Sequence, residues 1–182
     1  MEVLQWLREH GRPWDASMCS AATAGGNLEV LKWLCEQDYP WRHGTACRAA
    51  ARGGHLEMLM WLREQDCPWD ASAVRAAAEE GHLEVLKWAR DHDCPWPTSL
   101  CTIAAMRGRL EVVQWAREHQ DPWDAGTCVA AATGGHLDVL QWVRAHHCPW
   151  GVNTCLSAVG CAKAADGGGH EEVARWIRAQ IT

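Results

Sequence analysis

Tryptophan falls in this chain at a fixed step, and no other feature restricts the fold as much. One series runs Trp6, Trp33, Trp61, Trp88, Trp115, Trp142 and Trp176, with gaps of 27, 28, 27, 27, 27 and 34 residues. A second series follows proline at Trp14, Trp41, Trp69, Trp96, Trp123 and Trp150, and the two together account for all thirteen tryptophans. A longer motif surrounds them. Gly81-His82-Leu83-Glu84-Val85-Leu86-Lys87-Trp88 leads to Cys94-Pro95-Trp96, and close copies run from Gly54 to Trp69 and from Gly135 to Trp150. A fixed period on the order of 20–50 residues is the signature of stacked repeats, whose units share one continuous core.

Each unit reads as two helices. In the first complete unit, Asp15 or Ser17 can cap the Ala-rich run Met18–Ala24, and Gly25-Gly26 ends it. Leu28–Gln37 then places apolar residues in a wide stripe that needs burial. Tyr39-Pro40-Trp41 breaks this helix, because proline biases the residue before it out of helical geometry. The same reading predicts Gly44–Arg52 with Leu56–Gln65, Ala71–Glu79 with Leu83–His92, and Thr98–Met106 with Leu110–His119. Ala125–Thr133 pairs with Leu137–His146. The expected fold is an all-α solenoid forming a single domain over residues 1–182. A half-repeat, 1–13, precedes six helix pairs starting near 14, 41, 69, 96, 123 and 150. Met1 falls in the Leu28 column, so an upstream repeat is expected, with a translation start at an imperfect cap as the alternative. The last pair carries an insertion within 151–169. Its final helix, 171–180, reads as a C-terminal cap, because Glu171 and Ala174 stand where internal repeats have Leu.

Charge narrows the partners. Lys+Arg 17 against Asp+Glu 23 gives a net charge of −6, whereas nucleic acid and anionic membranes call for a basic footprint. No stretch approaches the roughly 18 apolar residues of a membrane span, and Met1–Trp6 lacks a secretory n-region. A reducing, cytoplasmic setting is expected, within a host cell if the chain is viral.

Aligned on the Gly-His step, the first helices read Ser17-x-Cys19-x-Ala21-Ala22, Thr45-x-Cys47-x-Ala49-Ala50 and Ser72-x-Val74-x-Ala76-Ala77. Each runs through Gly-His or Gly-Asn into Leu-Glu-(Val/Met)-Leu. This resembles the ankyrin repeat along the whole chain, and six units in register make the resemblance specific. Three departures stand out. The step is 27 rather than about 33 residues, the first-helix Pro is absent, and Trp replaces the first of the paired Leu. The chain is therefore similar to the short, Trp-rich variety seen in large DNA viruses and protists. The resemblance implies a solenoid without β-hairpin fingers, in which the loop tryptophans fill the vacated space and staple neighbouring units.

The residues that usually carry chemistry sit in repeated columns. Cys19, Cys47, Cys101 and Cys128 share a first-helix column with Val74, which marks it as apolar core. Cys67, Cys94 and Cys148 precede Pro-Trp. Equivalent cysteines lie one repeat apart, and packed helices stand about 8–10 Å from each other, too far for one metal. His146-His147-Cys148 and His92-Asp93-Cys94 are the only dense clusters, so no metal and no cofactor are predicted. His55, His82, His136 and His170 follow the turn glycine, with Asn27 and Arg109 in the same column. The ankyrin resemblance implies that they stabilise the turn. His10, His92, His119 and His146 exchange with Gln37, Gln65 and Gln180, which implies a hydrogen-bonding or solvated role. No nucleophile–base–orienter set is present, so no enzyme is expected. Tryptophan is expected to supply most of the core, with an exposed aromatic ladder as the alternative.

Function is expected where repeats differ. Two variable first-helix columns, four residues apart and so on one face, carry Arg48 with Arg52, Arg75 with Glu79, Thr102 with Met106, and Val129 with Thr133. The next column adds Glu80 and Arg107. The resemblance places these columns on a concave binding surface. Arg42, Arg48, Arg52 and Arg75 make one side of it basic; Met106 and Val129 make the other more apolar. The expected function is non-enzymatic protein–protein recognition, with an acidic segment on the partner and a monomeric chain unless its open N-terminal helix pairs. The alternatives are a metal- or redox-responsive Cys/His protein and a substrate-recruiting part of a ubiquitin-ligase-type adaptor.

Overall fold

The computed structural model describes residues 16–36, 45–149 and 170–180, and every regular element among them is helical. The helices are α1 (Ala16–Ala24), α2 (Leu28–Glu36), α3 (Thr45–Gly53), α4 (Leu56–Glu64), α5 (Ala71–Glu80) and α6 (Leu83–Asp91). They continue as α7 (Leu100–Met106), α8 (Leu110–Glu118), α9 (Ala125–Gly134), α10 (Leu137–Ala145) and α11 (Glu171–Ala179). The expected half-repeat 1–13, the loop tryptophans Trp14, Trp41 and Trp150, and the 151–169 insertion lie outside the described residues. None of the described helices is long and apolar enough to cross a membrane.

Alternate helices form one row: α1 against α3, α3 against α5, α5 against α7, and α7 against α9. Each also packs on the helix that follows it in the chain. Alanine makes this close row possible. Ala50, Ala51, Ala77, Ala104, Ala105, Ala131 and Ala132 are fully or almost fully buried, and their small side chains let neighbouring backbones approach. From the other helices come Leu31, Leu59, Leu86, Val113 and Leu140, none of them exposed.

Local chemistry sets the helix ends. Asp70, in extended geometry, accepts the Ser72 amide at 2.8 Å and caps α5; Asp124 does the same for α9 through Gly126 at 2.8 Å. The bond from Ser72 also holds the Asp70 carboxyl below its ordinary value. Between these two units the chain carries Pro97-Thr98-Ser99 in place of the capping Asp. As a result α7 begins at Leu100 rather than at the expected Thr98, and Ser99 makes no side-chain cap bond. The second helices start at the predicted Leu28, Leu56, Leu83, Leu110 and Leu137, and the last at Glu171. They stop one residue earlier than predicted, before Gln65, His92, His119 and His146. The next residues, Asp66, Asp93, Gln120 and His147, are left-handed at φ 57, 54, 63 and 61°. That turn brings the Cys67 amide onto the Leu62 carbonyl at 3.0 Å and closes the helix end.

Tryptophan is not the main filler of the core. Among the described residues only Trp115 is buried; Trp33, Trp61, Trp69, Trp88, Trp96, Trp123, Trp142 and Trp176 are half-buried against it. An indole is too large for the gap between Ala-faced helices, and its N–H needs a polar partner. The loop tryptophans do link units. Trp69 meets Trp88 edge-on at 5.4 Å, with the Arg63 guanidinium of the preceding helix 4.7 Å from its ring centre. Trp123 lies likewise between Trp142 and Arg117. In the last helix the small Ala174, in the Leu86 column, is fully buried, and Glu171 is exposed.

The turn histidines reach further than expected. His55 Nε2 lies 3.0 Å from the Ala24 carbonyl, His82 Nε2 2.8 Å from that of Arg52, and His136 Nε2 3.2 Å from that of Met106. Each ring joins its own turn to the end of the preceding first helix. It also covers the left-handed glycine of that preceding unit: a Cβ on Gly54 would stand 2.5 Å from His82 Nδ1. The Gly and the His of the motif therefore serve one another across units.

Candidate partner-binding surface

The variable columns project from the row α3–α5–α7–α9. Arg48, Arg52, Arg75, Glu80, Met106, Arg107 and Thr133 are exposed, while Glu79, Thr102 and Val129 are half-buried. Arg42 lies outside the described residues. Met106, 47% exposed, is one of two large apolar side chains exposed among the described residues.

These side chains are not independent. Glu79 lies between two guanidiniums, 3.6 Å from Arg52 and 3.9 Å from Arg75, joining α3 to α5. Glu80 pairs with Arg109 at 3.4 Å. The basic side of the surface thus has one carboxylate built into it, and only part of its positive charge is uncompensated. Thr102, expected as a free contact, shares a 3.1 Å hydroxyl bond with buried Thr127 and ties α7 to α9. The Thr133 hydroxyl donates to the Val129 carbonyl at 2.8 Å, so it too has an internal acceptor. Arg48, Arg107 and Met106 are exposed, and neither arginine is in an ion pair among the described residues.

At the ends of the second helices an arginine column that sequence reasoning missed clamps the Pro-Trp loops. Arg63 donates to the Cys67 carbonyl, Arg117 to the Asp121 carbonyl at 2.8 Å, and Arg144 to the Cys148 carbonyl at 3.4 Å. Its signal was present: Arg recurs two residues after the helix Trp, where a cation satisfies the open carbonyls of a helix end. Arg90 departs from this pattern. It reaches the His119 carbonyl at 3.1 Å and the Asp121 carboxylate at 3.6 Å, while Trp96 Nε1 donates to the other Asp121 oxygen at 3.0 Å. Asp121 stands in the loop column that holds Cys67, Cys94 and Cys148, and Arg12 and Tyr39 in the first units, and is 7% exposed.

The described cysteines are free, and all but Cys35 are buried. Burial pushes the Cys94 thiol up to about 11 and Cys101 up to about 12, the latter with a contribution from the Asp121 carboxylate. Two pairs form within units: Cys47 with Cys67, and Cys128 with Cys148. Cys47 Sγ donates to the Cys67 carbonyl at 3.8 Å and Cys148 Sγ to the Asp124 carbonyl at 3.3 Å, and the neighbouring thiol together with burial holds the Cys47 and Cys148 protons above the ordinary range. These pairs do not show in the repeat columns, which set equivalent cysteines one repeat apart, whereas each pair forms across one unit. Among the described residues no three His, Cys, Asp or Glu side chains converge as a metal site would require. The histidines that follow the helix Trp are hydrogen-bonded: His92, His119 and His146 each place Nδ1 2.8 Å from the carbonyl of Trp88, Trp115 and Trp142.

Compared with protein-family models and with curated proteins, the chain matches none.

Proposed function

We propose that this chain is a non-enzymatic protein-binding scaffold: a solenoid of short ankyrin-like repeats that presents the variable face of its first helices to a partner protein. The observation that carries this reading is Met106. An apolar side chain stands 47% exposed on the same columns as Arg48, Arg52, Arg75 and Arg107, on a row whose spacing is fixed by buried alanine. Apolar contact flanked by guanidiniums is the composition favoured at protein interfaces. A rigid row also binds without a large ordering cost. The partner segment is acidic with an apolar residue beside it. Glu79 sets the register of Arg52 and Arg75, and the contact charges are Arg48 and Arg107.

Affinity capture with the wild-type chain, Arg48→Glu and Met106→Lys tests this. Loss of the same partners from both variants is expected, with circular dichroism unchanged. Partners held at unchanged affinity by both variants would sink the reading. One observation favours a second, redox-responsive reading: the Cys47–Cys67 and Cys128–Cys148 pairs. Burial shields these thiols, so it is the weaker of the two. Native-state alkylation that leaves both pairs unlabelled, with no effect of disulfide oxidants on the chain's mass, would dispose of it.

A further inference from the structure

The other exposed methionine, Met60, lies on a second helix, α4, rather than on the row of first helices. In the solvent-facing column of the second helices the units place Lys32, Met60, Lys87, Gln114, Gln141 and Arg175. Five of the six are long and polar; Met60 alone is apolar, and it is 40% exposed. It stands at a groove of about 540 Å³ between α4 and α6, with half-buried Trp88 as the other apolar wall and His92 stacked on that indole at 4.1 Å. A volume of this size takes one or two side chains.

The rim of the groove is acidic. Glu64, Asp91 and Asp93 line it, all exposed and none in an ion pair among the described residues. The one cation of the lining, Arg63, is engaged elsewhere. Its guanidinium donates to the Cys67 carbonyl and lies 4.7 Å from the Trp69 ring centre. An apolar floor inside three uncompensated carboxylates complements a cationic, partly apolar ligand. The charge is opposite to that of the Arg48–Arg107 face.

We infer that the groove between α4 and α6 is a second docking surface, for a peptide segment of a partner in which a leucine- or methionine-like side chain sits beside Lys or Arg. The apolar side chain fills the space between Met60 and Trp88, and the cation meets Asp91, Asp93 and Glu64. The two faces therefore select opposite charges, and the chain can hold two partners at once.

Methyl-labelled methionine provides the test, because Met60 reports this groove, Met106 the first-helix face, and buried Met58 the fold. The probe is a short Gly/Ser peptide with a Lys-Leu-Arg centre, titrated into the full chain. Its expected signature is a saturable shift of the Met60 methyl with Met106 unmoved. Met60→Lys reproduces the residue of two neighbouring units, so it preserves the fold; it should weaken binding about tenfold or more, read by tryptophan fluorescence. Asp91→Asn with Asp93→Asn should weaken it severalfold and flatten its salt dependence. An unmoved Met60, equal binding of a Glu-Leu-Glu peptide, or unchanged affinity in Met60→Lys would overturn the inference. If the peptide instead moves Met106 alone, this groove is rejected while the first-helix reading is judged separately by its own capture experiment.

Discussion

The unit built from α5 and α6 and the unit built from α7 and α8 occupy adjacent places in the stack with different residues at almost every special position. The first joins its predecessor through His82, whose Nε2 meets the Arg52 carbonyl at 2.8 Å. The second uses Arg109, whose Nε donates to the Glu79 carbonyl at 3.0 Å. The first opens on the Asp70 cap, the second on Pro97 and an uncapped Ser99. Val74 fills the first-helix core column in one and Cys101 in the other, both at most 1% exposed. What the column at the joint requires is therefore not an imidazole. It requires a planar N–H donor that can lie over a glycine lacking a Cβ and reach the carbonyl end of a helix, where positive charge is also favoured.

The largest test of that requirement is at the glycine. Gly54→Ala places a Cβ 2.5 Å from the His82 ring in a backbone at φ +71°. Left-handed strain together with the displaced bond should cost about 2–3 kcal/mol in urea unfolding. Combined with His82→Ala the cost should be less than additive; full additivity would mean that ring and glycine do not depend on each other. His82→Ala alone should cost about 1.5 kcal/mol, whereas Arg109→His should stay within about 0.5 kcal/mol of wild type. An Arg109→His penalty equal to that of His82→Ala would show that the two joints are not equivalent.

The caps sharpen the same comparison. Asp70→Ala should lose about 1 kcal/mol, and Ser99→Ala only a few tenths. Since the folded Asp70 carboxyl lies below its ordinary value of 3.8, its contribution is present above that pH and disappears as pH falls through the folded value. The difference between wild type and Asp70→Ala should therefore narrow in acid. The smallest effect at neutral pH is expected for Cys101→Val, which copies Val74. On the alkaline side the sign is opposite. The Cys101 thiol is raised from 9.0 to about 12, so stability is intact below pH 9 and falls as pH rises through that window. Removing the thiol should spare roughly 1 kcal/mol between pH 9 and 10. Parallel pH profiles for wild type and variant would contradict this.

Much of the helical layout was legible because it is periodic. The second helices begin at the predicted leucines, and the cysteine column that tolerates Val74 is buried in every described unit. The contacts between columns were not legible. Glu79 held between Arg52 and Arg75, Thr102 bonded to Thr127, and Cys47 beside Cys67 all depend on how a loop or helix folds back on its neighbour. Spacing along the chain does not encode that distance. The late start of α7 was readable in principle from Pro97 in place of Asp, and so was the arginine clamp from its recurrence. Tryptophan misled for the opposite reason: its abundance suggested core, whereas its size keeps all but one of the described rings at the margin.

The joint donors repeat at a constant interval, from His55 to His82, Arg109 and His136 in steps of 27 residues. Each donor looks back to an acceptor of one fixed kind, a main-chain carbonyl that any residue supplies. A segment copied or deleted between two such turns leaves both cut ends with a familiar handle, whichever unit they now face. Gene duplication could lengthen or shorten this surface tile by tile, and new side chains could be tried on the exposed columns without redesign of the seams.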